Sequence, residues 1–191
     1  LDVTRAARIQ SIEIIQPLWN NYGTLCRVFL EESADYPSVI IKHIQLPQIN
    51  VHPRGFATSV SRSRKIRSYQ VETYWYQQYN KEITDSTSPT PKCLGVWTLD
   101  GDTCILLEDL DTRGFPKRIY QASWNDITIV LDWLAHFHAH FLHKPAEGLW
   151  ECGTYWHLAT RPEELHNIRH SSMHLFASFI DARLQQSSFQ T

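Results

Sequence analysis

The stretch Ser38-Val-Ile-Ile-Lys-His-Ile-Gln45 sets a lysine where a strand would carry an apolar side chain. β-Branched residues dominate it, Pro37 precedes it and Pro47 follows it, so it reads as a strand. Alternation puts Ile40, Lys42 and Ile44 on one face. An ammonium in such a stripe is costly to bury unless it is paired. Either Lys42 lies at an edge and reaches out to water along its own stem, or another element brings it a carboxylate. Whatever fold the chain adopts has to satisfy one of these conditions.

A carboxylate with the complementary problem follows. Residues from about Arg64 to Tyr79 are helical by composition and spacing. At roughly 100° per residue, Tyr69, Glu72, Trp75, Tyr76 and Tyr79 share one face. The stripe is aromatic except at Glu72. A bond to a tyrosine hydroxyl, or a place at the rim, would account for Glu72 alone. Two opposite charges, each on an apolar stripe and on successive elements, account for one another, so a Lys42–Glu72 ion pair is expected.

The remaining elements frame this pair. Residues 8–16 alternate as a first strand, and residues 24–31 form a second. Short turns join both to the Lys42 strand, which makes an antiparallel meander. Gly23, in the first turn, either lets backbone amides approach a phosphate or serves only the hairpin. Residues 46–63 read as a long irregular loop. It runs into Arg62, Arg64, Lys65 and Arg67, which hold an anion or form a solvated face. Pro91–Trp97 reads as a fourth strand, Asp100-Gly101 as a hairpin turn and Cys104–Leu110 as a fifth strand. The acidic run Glu108–Pro116 marks a composition shift, which predicts an N-terminal lobe over 1–110 and a helical lobe over 111–191.

Ser123-Trp-Asn-Asp126 fits a capping box, so a helix starts there. Its apolar face is expected to hold Ile127, Val130, Leu131, Leu134, Phe137, His138 and Phe141, with His138 a hydrogen-bonded core residue. His136, His140 and His143 share a face, but no HExxH glutamate and no cysteine pair completes a zinc site. Thr160-Arg-Pro-Glu163 is a second capping box, opening a helix to about Gln186.

Composition narrows the classes of partner. A net charge of −2 gives no global attraction to nucleic acid or to an anionic membrane. A nucleic-acid interface built on Arg54, Arg62, Arg64, Lys65 and Arg67 is therefore disfavoured. No apolar run approaches the roughly 20 residues that span a bilayer, and no signal-peptide pattern opens the sequence. Four cysteines without a CxxC pair suggest reduced thiols in a cytoplasmic protein.

Several stretches together resemble a known superfamily. They are Leu18-Trp-Asn-Asn-Tyr-Gly23, Val39-Ile-Ile-Lys-His-Ile44, His52-Pro-Arg-Gly-Phe56, Arg64-Lys-Ile-Arg-Ser-Tyr-Gln-Val-Glu72, Leu106-Leu-Glu-Asp-Leu110, Leu134-Ala-His-Phe-His-Ala139 and Gly153-Thr-Tyr-Trp-His-Leu-Ala-Thr-Arg-Pro162. The chain looks like the choline-kinase-like and aminoglycoside-phosphotransferase superfamily, and most like its bacterial ecdysteroid-kinase-like branch. The resemblance implies an α+β, protein-kinase-like fold: an N-lobe of five antiparallel strands and one helix, then the first helices of a C-lobe. It implies that Lys42 contacts the phosphates of ATP and that Glu72 orients Lys42. Gly23 would lie in the phosphate-covering turn, although no GxGxxG pattern is present. The Glu108 carbonyl and the Leu110 amide would meet the adenine.

The sequence also departs from that pattern. Family members carry an HGDxxxxN-type catalytic loop and a later metal-binding aspartate, which handle the acceptor proton and Mg²⁺. No His-Gly-Asp occurs here, and no Asp in the C-terminal half has an Asn five positions later. The chain is therefore expected to stop before its catalytic loop. It reads as the N-terminal portion of an ATP-dependent kinase for a small-molecule hydroxyl acceptor, inactive alone, with Mg²⁺ expected only alongside the rest of the C-lobe. The alternative is a pseudokinase-like binding or regulatory fragment. An uncovered C-lobe face at Phe176, Phe179 and Ile180 is expected to favour self-association.

Overall fold

The structure is a computed structural model of the 191-residue chain. It describes residues 4–6, 8–33, 35–46, 59–84 and 86–152. Five strands appear in it: β1 (Arg8–Pro17), β2 (Gly23–Glu31), β3 (Ser38–Ile44), β4 (Cys93–Leu99) and β5 (Asp102–Glu108). They form one antiparallel sheet in the order β1-β2-β3-β5-β4. Helix α1 (Ser59–Gln78) follows β3, and helix α2 (Trp124–Phe141) follows β5. The chain divides into two compact units, Leu1–Leu149 and Trp150–Thr191. All seven elements belong to the first.

The sheet is apolar on both faces, and each face has its own core. Ala6, Val28, Leu30, Val39 and Leu106 pack together on one side. On the other, Tyr22, Ile44, Ile105 and Leu107 meet Tyr69 of α1, with Ile40, Tyr76 and Val96 packed against them. Lys42 belongs to this second face, between Ile40 and Ile44, opposite Leu25 on β2 and Ile105 on β5. It is thus in the middle strand of the sheet, next to the fully buried Ile105, and an edge escape to water is closed to it.

Three details differ from the sequence-based expectation. Helix α1 begins at Ser59, taking Ser59–Ser63 from the expected loop. No Gly or Pro lies among Ser59–Ser63, so nothing there stops the helix from propagating backwards through residues of ordinary propensity. Strand β5 ends at Glu108 rather than Leu110, because the Asp109 side chain accepts the Asp111 amide and caps a 3₁₀ turn over Leu110–Arg113. The α2 capping box forms as expected, with Ser123 and Asp126 bonding reciprocally. Its inner face is rotated, however. Trp133 stacks on Phe137, Phe137 meets Trp75 of α1, and Phe141 meets Tyr79 just beyond that helix. His138 is consequently exposed and is no core histidine, and Val130 and Leu131 are exposed as well.

The aromatic stripe of α1 is therefore shared between two neighbours: Tyr69 and Tyr76 pack on the sheet, and Trp75 contacts α2, as does Tyr79 just beyond the helix. Among the described residues no helix is long and apolar enough to cross a membrane. Arg54, the second capping box, the expected helix to Gln186 and the face at Phe176, Phe179 and Ile180 all lie outside the described residues.

Two hairpin glycines have different duties. Gly101 closes the β4–β5 turn at φ +87, beside Asp100 at φ 52, and a methyl group there would meet open space. Gly23 has φ +128, and a Cβ would lie 1.9 Å from the His43 carbonyl oxygen of β3. Gly101→Ala should therefore cost about 1 kcal/mol. Gly23→Ala adds a backbone collision to the same φ strain and should cost about 3 kcal/mol or more. Urea midpoints at unchanged m-value measure both, and equal losses would contradict this account of β2–β3 contact.

Candidate functional site

Glu72 lies in the fourth turn of α1, on the side facing the sheet. The Lys42 Nζ lies 2.5 Å from its Oε1 and 2.6 Å from its Oε2, so one ammonium donates to both carboxylate oxygens. The expected ion pair thus forms. Its side chains are 18% and 31% exposed, so the pair is anchored in the sheet but still reached by solvent and by ligands. The ammonium also lies 5.5 Å from the centre of the Tyr69 ring.

A second lysine, Lys65, lies on the same ring, 4.5 Å from its centre and 6.0 Å from that of Trp19 in the β1–β2 turn. Burial and then the Lys42 charge push the pKa of Lys65 below its ordinary value, with Glu72 opposing. Burial, with help from Glu72 and Cys93, pushes the Tyr76 phenol up to about 12. The basic run read from the sequence is therefore not uniform. Lys65 turns to the site, while Arg67 reaches an exposed carbonyl at Gly148.

The stretch after β5, Glu108–Asp111, is fixed by a different charge network. Asp109, 2% exposed, accepts from Arg27 Nε at 2.7 Å, from the Ser38 hydroxyl at 2.6 Å and from the Asp111 amide at 3.1 Å. Arg27 also donates to Asp111 and lies 3.6 Å from Glu13. Burial alone would raise the Asp109 pKa, but the bonds from Arg27, Ser38 and Asp111 outweigh it and hold the carboxyl below its usual range. The hydrogen bond with Asp109 in turn raises the Arg27 pKa. Glu108 is buried with its Oε1 3.0 Å from Arg113 Nε. The Leu110 amide opens the 3₁₀ turn, so it has no partner within that turn. Glu108, Leu110 and Arg113 also line a cavity of about 900 Å³ with Tyr76, Asn80 and Val96, which Lys42, Asp109 and Arg27 do not touch.

Register sets the scale of the site. Lys42 lies opposite Ile105, and Val39 lies opposite Glu108. Three residues of β5 therefore separate the ion pair from Glu108, about 10 Å at roughly 3.3 Å per residue. Gly23 closes the turn at the Lys42 end of the sheet, opposite Ile44. Its positive φ serves the close approach of β2 to His43.

Sequence reasoning missed Arg27, and it named Lys65 and Asp109 only as members of a basic run and of the Glu108–Leu110 stretch, without singling them out. Arg27 interrupts the apolar strand β2 just as Lys42 interrupts β3, so the same signal was there to be read. Elsewhere, His136 Nδ1 lies 3.0 Å from the Asp132 carbonyl, and His140 lies 3.1 Å from Lys144. Among the described residues no group of three or more His, Cys, Asp or Glu side chains could hold a metal ion.

A five-stranded antiparallel sheet that presents a central lysine to a glutamate from the helix packed on it has the architecture of a protein-kinase-like N-lobe. The chain belongs to the ecdysteroid kinase-like family, whose family model matches residues 31–146, more than half of the sequence. This family is part of the choline-kinase-like and aminoglycoside-phosphotransferase superfamily. The matched segment holds Lys42, Lys65, Glu72, Glu108 and Leu110 and leaves out Gly23 and Arg27. No curated protein and no solved structure matches the chain.

The two networks give separate predictions. Lys42→Met and Glu72→Gln should each cost about 1–3 kcal/mol, less than a fully buried pair because solvent reaches this one. The double variant should lose less than their sum in a double-mutant cycle by urea unfolding, and simple additivity would deny the coupling. Because the Asp109 pKa is depressed by folding, its stabilisation is complete above the unfolded value of about 3.9 and fades as pH falls through the lower folded value. The stability gap between the native chain and Asp109→Asn should therefore shrink progressively below about pH 4. A gap constant down to the acid transition would remove Asp109 as the titrating group.

Proposed function

We propose that this chain is the nucleotide-holding portion of an ATP-dependent kinase for a small-molecule hydroxyl acceptor. The observation that carries the reading is the Lys42–Glu72 pair, held between the central strand and α1 at 2.5 and 2.6 Å. Membership of a kinase-like family supports it. Lys42 binds the nucleotide phosphates, and Glu72 keeps its ammonium aimed at them. The Glu108 carbonyl and the Leu110 amide receive the adenine, in a hinge that Asp109 holds to Arg27 and Ser38. Gly23 belongs to the turn above the phosphates. Residues 1–110 form the nucleotide lobe and 111–191 the beginning of a helical lobe.

These 191 residues are proposed to bind ATP without transferring its phosphate. They contain no His-Gly-Asp and no aspartate–asparagine pair at the catalytic-loop spacing in the C-terminal half. Mg²⁺ would enter only with ligands from further C-lobe residues. The same absence favours a second reading, a pseudokinase-like binding or regulatory fragment. Cys26, Cys93, Cys104 and Cys152 are free thiols, which supports a reducing, cytoplasmic setting. Self-association through C-lobe residues stays part of the proposal.

Calorimetric titration with ATP tests the reading. The native chain should bind, and Lys42→Ala, checked by its thermal transition for folding, should bind roughly 10- to 100-fold more weakly, as expected for loss of a hydrogen bond to a charged group. Unchanged affinity in a folded Lys42→Ala would sink the site assignment. Release of ADP from Mg-ATP by the native chain would overturn the expectation of no transfer.

A further inference from the structure

We infer that Lys65 is a second phosphate-binding cation, forming with Lys42 a two-lysine clamp for the polyphosphate of the nucleotide; the inference rests on the nucleotide reading above. Lys65, Tyr69 and Glu72 follow one another at i, i+4 and i+7, so one helix face carries all three toward the sheet. The geometry is specific. Both ammoniums rest on the ring of Tyr69, Lys65 at 4.5 Å and Lys42 at 5.5 Å from its centre, and that ring is buried.

Lys42 and Lys65 thus bring two ammoniums to one ring, beside the Glu72 carboxylate. Crowding like charges in a half-buried place is unfavourable. The depressed pKa of Lys65, caused by burial and then by Lys42, is its signature. A polyphosphate relieves that repulsion, since it carries several negative charges and can accept from both ammoniums at once. Lys65 also lies 6.0 Å from the Trp19 ring. The clamp thus touches the β1–β2 turn proposed to cover the phosphates, and a chain closing on ATP there would bring α1 and the turn onto the same anion. A lysine placed only to pack its stem on Tyr69 would have no reason to sense phosphate.

The test compares the native chain, Lys65→Met, which keeps an apolar stem over Tyr69, and Lys65→Arg, which keeps the charge. Each is titrated with ATP, adenosine and inorganic tripolyphosphate at several salt concentrations. Lys65→Met should weaken ATP and tripolyphosphate about tenfold. It should leave adenosine affinity unchanged and flatten the dependence of log K on log salt. Lys65→Arg should restore most of the loss. If ATP and adenosine affinities fall together, or if neither moves in a folded Lys65→Met, the clamp is refuted while the nucleotide site stands. If Lys65→Met does not fold, a Lys65→Arg chain that binds ATP with an unchanged salt slope upholds the clamp, and one that binds ATP no better than adenosine overturns it. Binding of tripolyphosphate but not ATP by the native chain, lost in Lys65→Met, would keep the clamp and remove the nucleotide reading. Binding of none of the three would remove both.

Discussion

An ammonium in the middle strand of a sheet has nowhere to go, and the rest of this structure is arranged around that constraint. Lys42 has Leu25 on one side and Ile105 on the other. Its charge can be balanced only from above the sheet, which fixes both the presence and the phase of α1. Tyr69 and Tyr76 bury the helix against the sheet, and Glu72 between them arrives at the ammonium. The ion pair contributes little compared with the hydrophobic contacts beside it, since solvent reaches both partners. Its weight lies in specificity. A slip of α1 by one residue would turn Glu72 by about 100° and leave Lys42 unpaired.

The same sheet face carries a second cation, Arg27, and the contrast between the two is informative. Arg27 meets Asp109, Asp111 and Glu13, and its guanidinium is largely covered. It has more carboxylates than it needs and no capacity left, so it serves to lock the Glu108–Asp111 stretch to β2. Lys42 has one carboxylate among the described residues and a second lysine close by. A saturated cation holds structure together, whereas a cation with spare capacity can take up an anion. This distinction, and not the bare presence of a buried charge, separates the structural network from the candidate site.

That distinction also explains how much could be read beforehand. The strands, the β4–β5 hairpin, the α2 capping box and the Lys42–Glu72 pair were legible because each follows from local pattern or from a charge on an apolar stripe. The start of α1 and the face of α2 were not. The first depends on the absence of a breaker among Ser59–Ser63. The second depends on which rings α1 and the residue just after it offer, since Trp75 meets Phe137 and Tyr79 meets Phe141, which turns His138 outward. Asp109 and Lys65 were visible only as members of charged runs. Composition describes a run by its average, whereas burial selects single members of it.

Gly23 shows the same limit from the side of the candidate site. A glycine before the Lys42 strand suggests room for an anion, but here its missing side chain is first a requirement of the sheet, because a Cβ would collide with His43. The two roles are compatible in order. Close contact of β2 with β3 fixes the base of the turn, with Asn20 and Asn21 in the left-handed region and Trp19 carried to within 6.0 Å of Lys65. A turn anchored at its base and touching α1 near its tip is placed to register what happens at Lys42. The geometry that lets β2 pair with β3 is therefore also what brings the turn to the lysines.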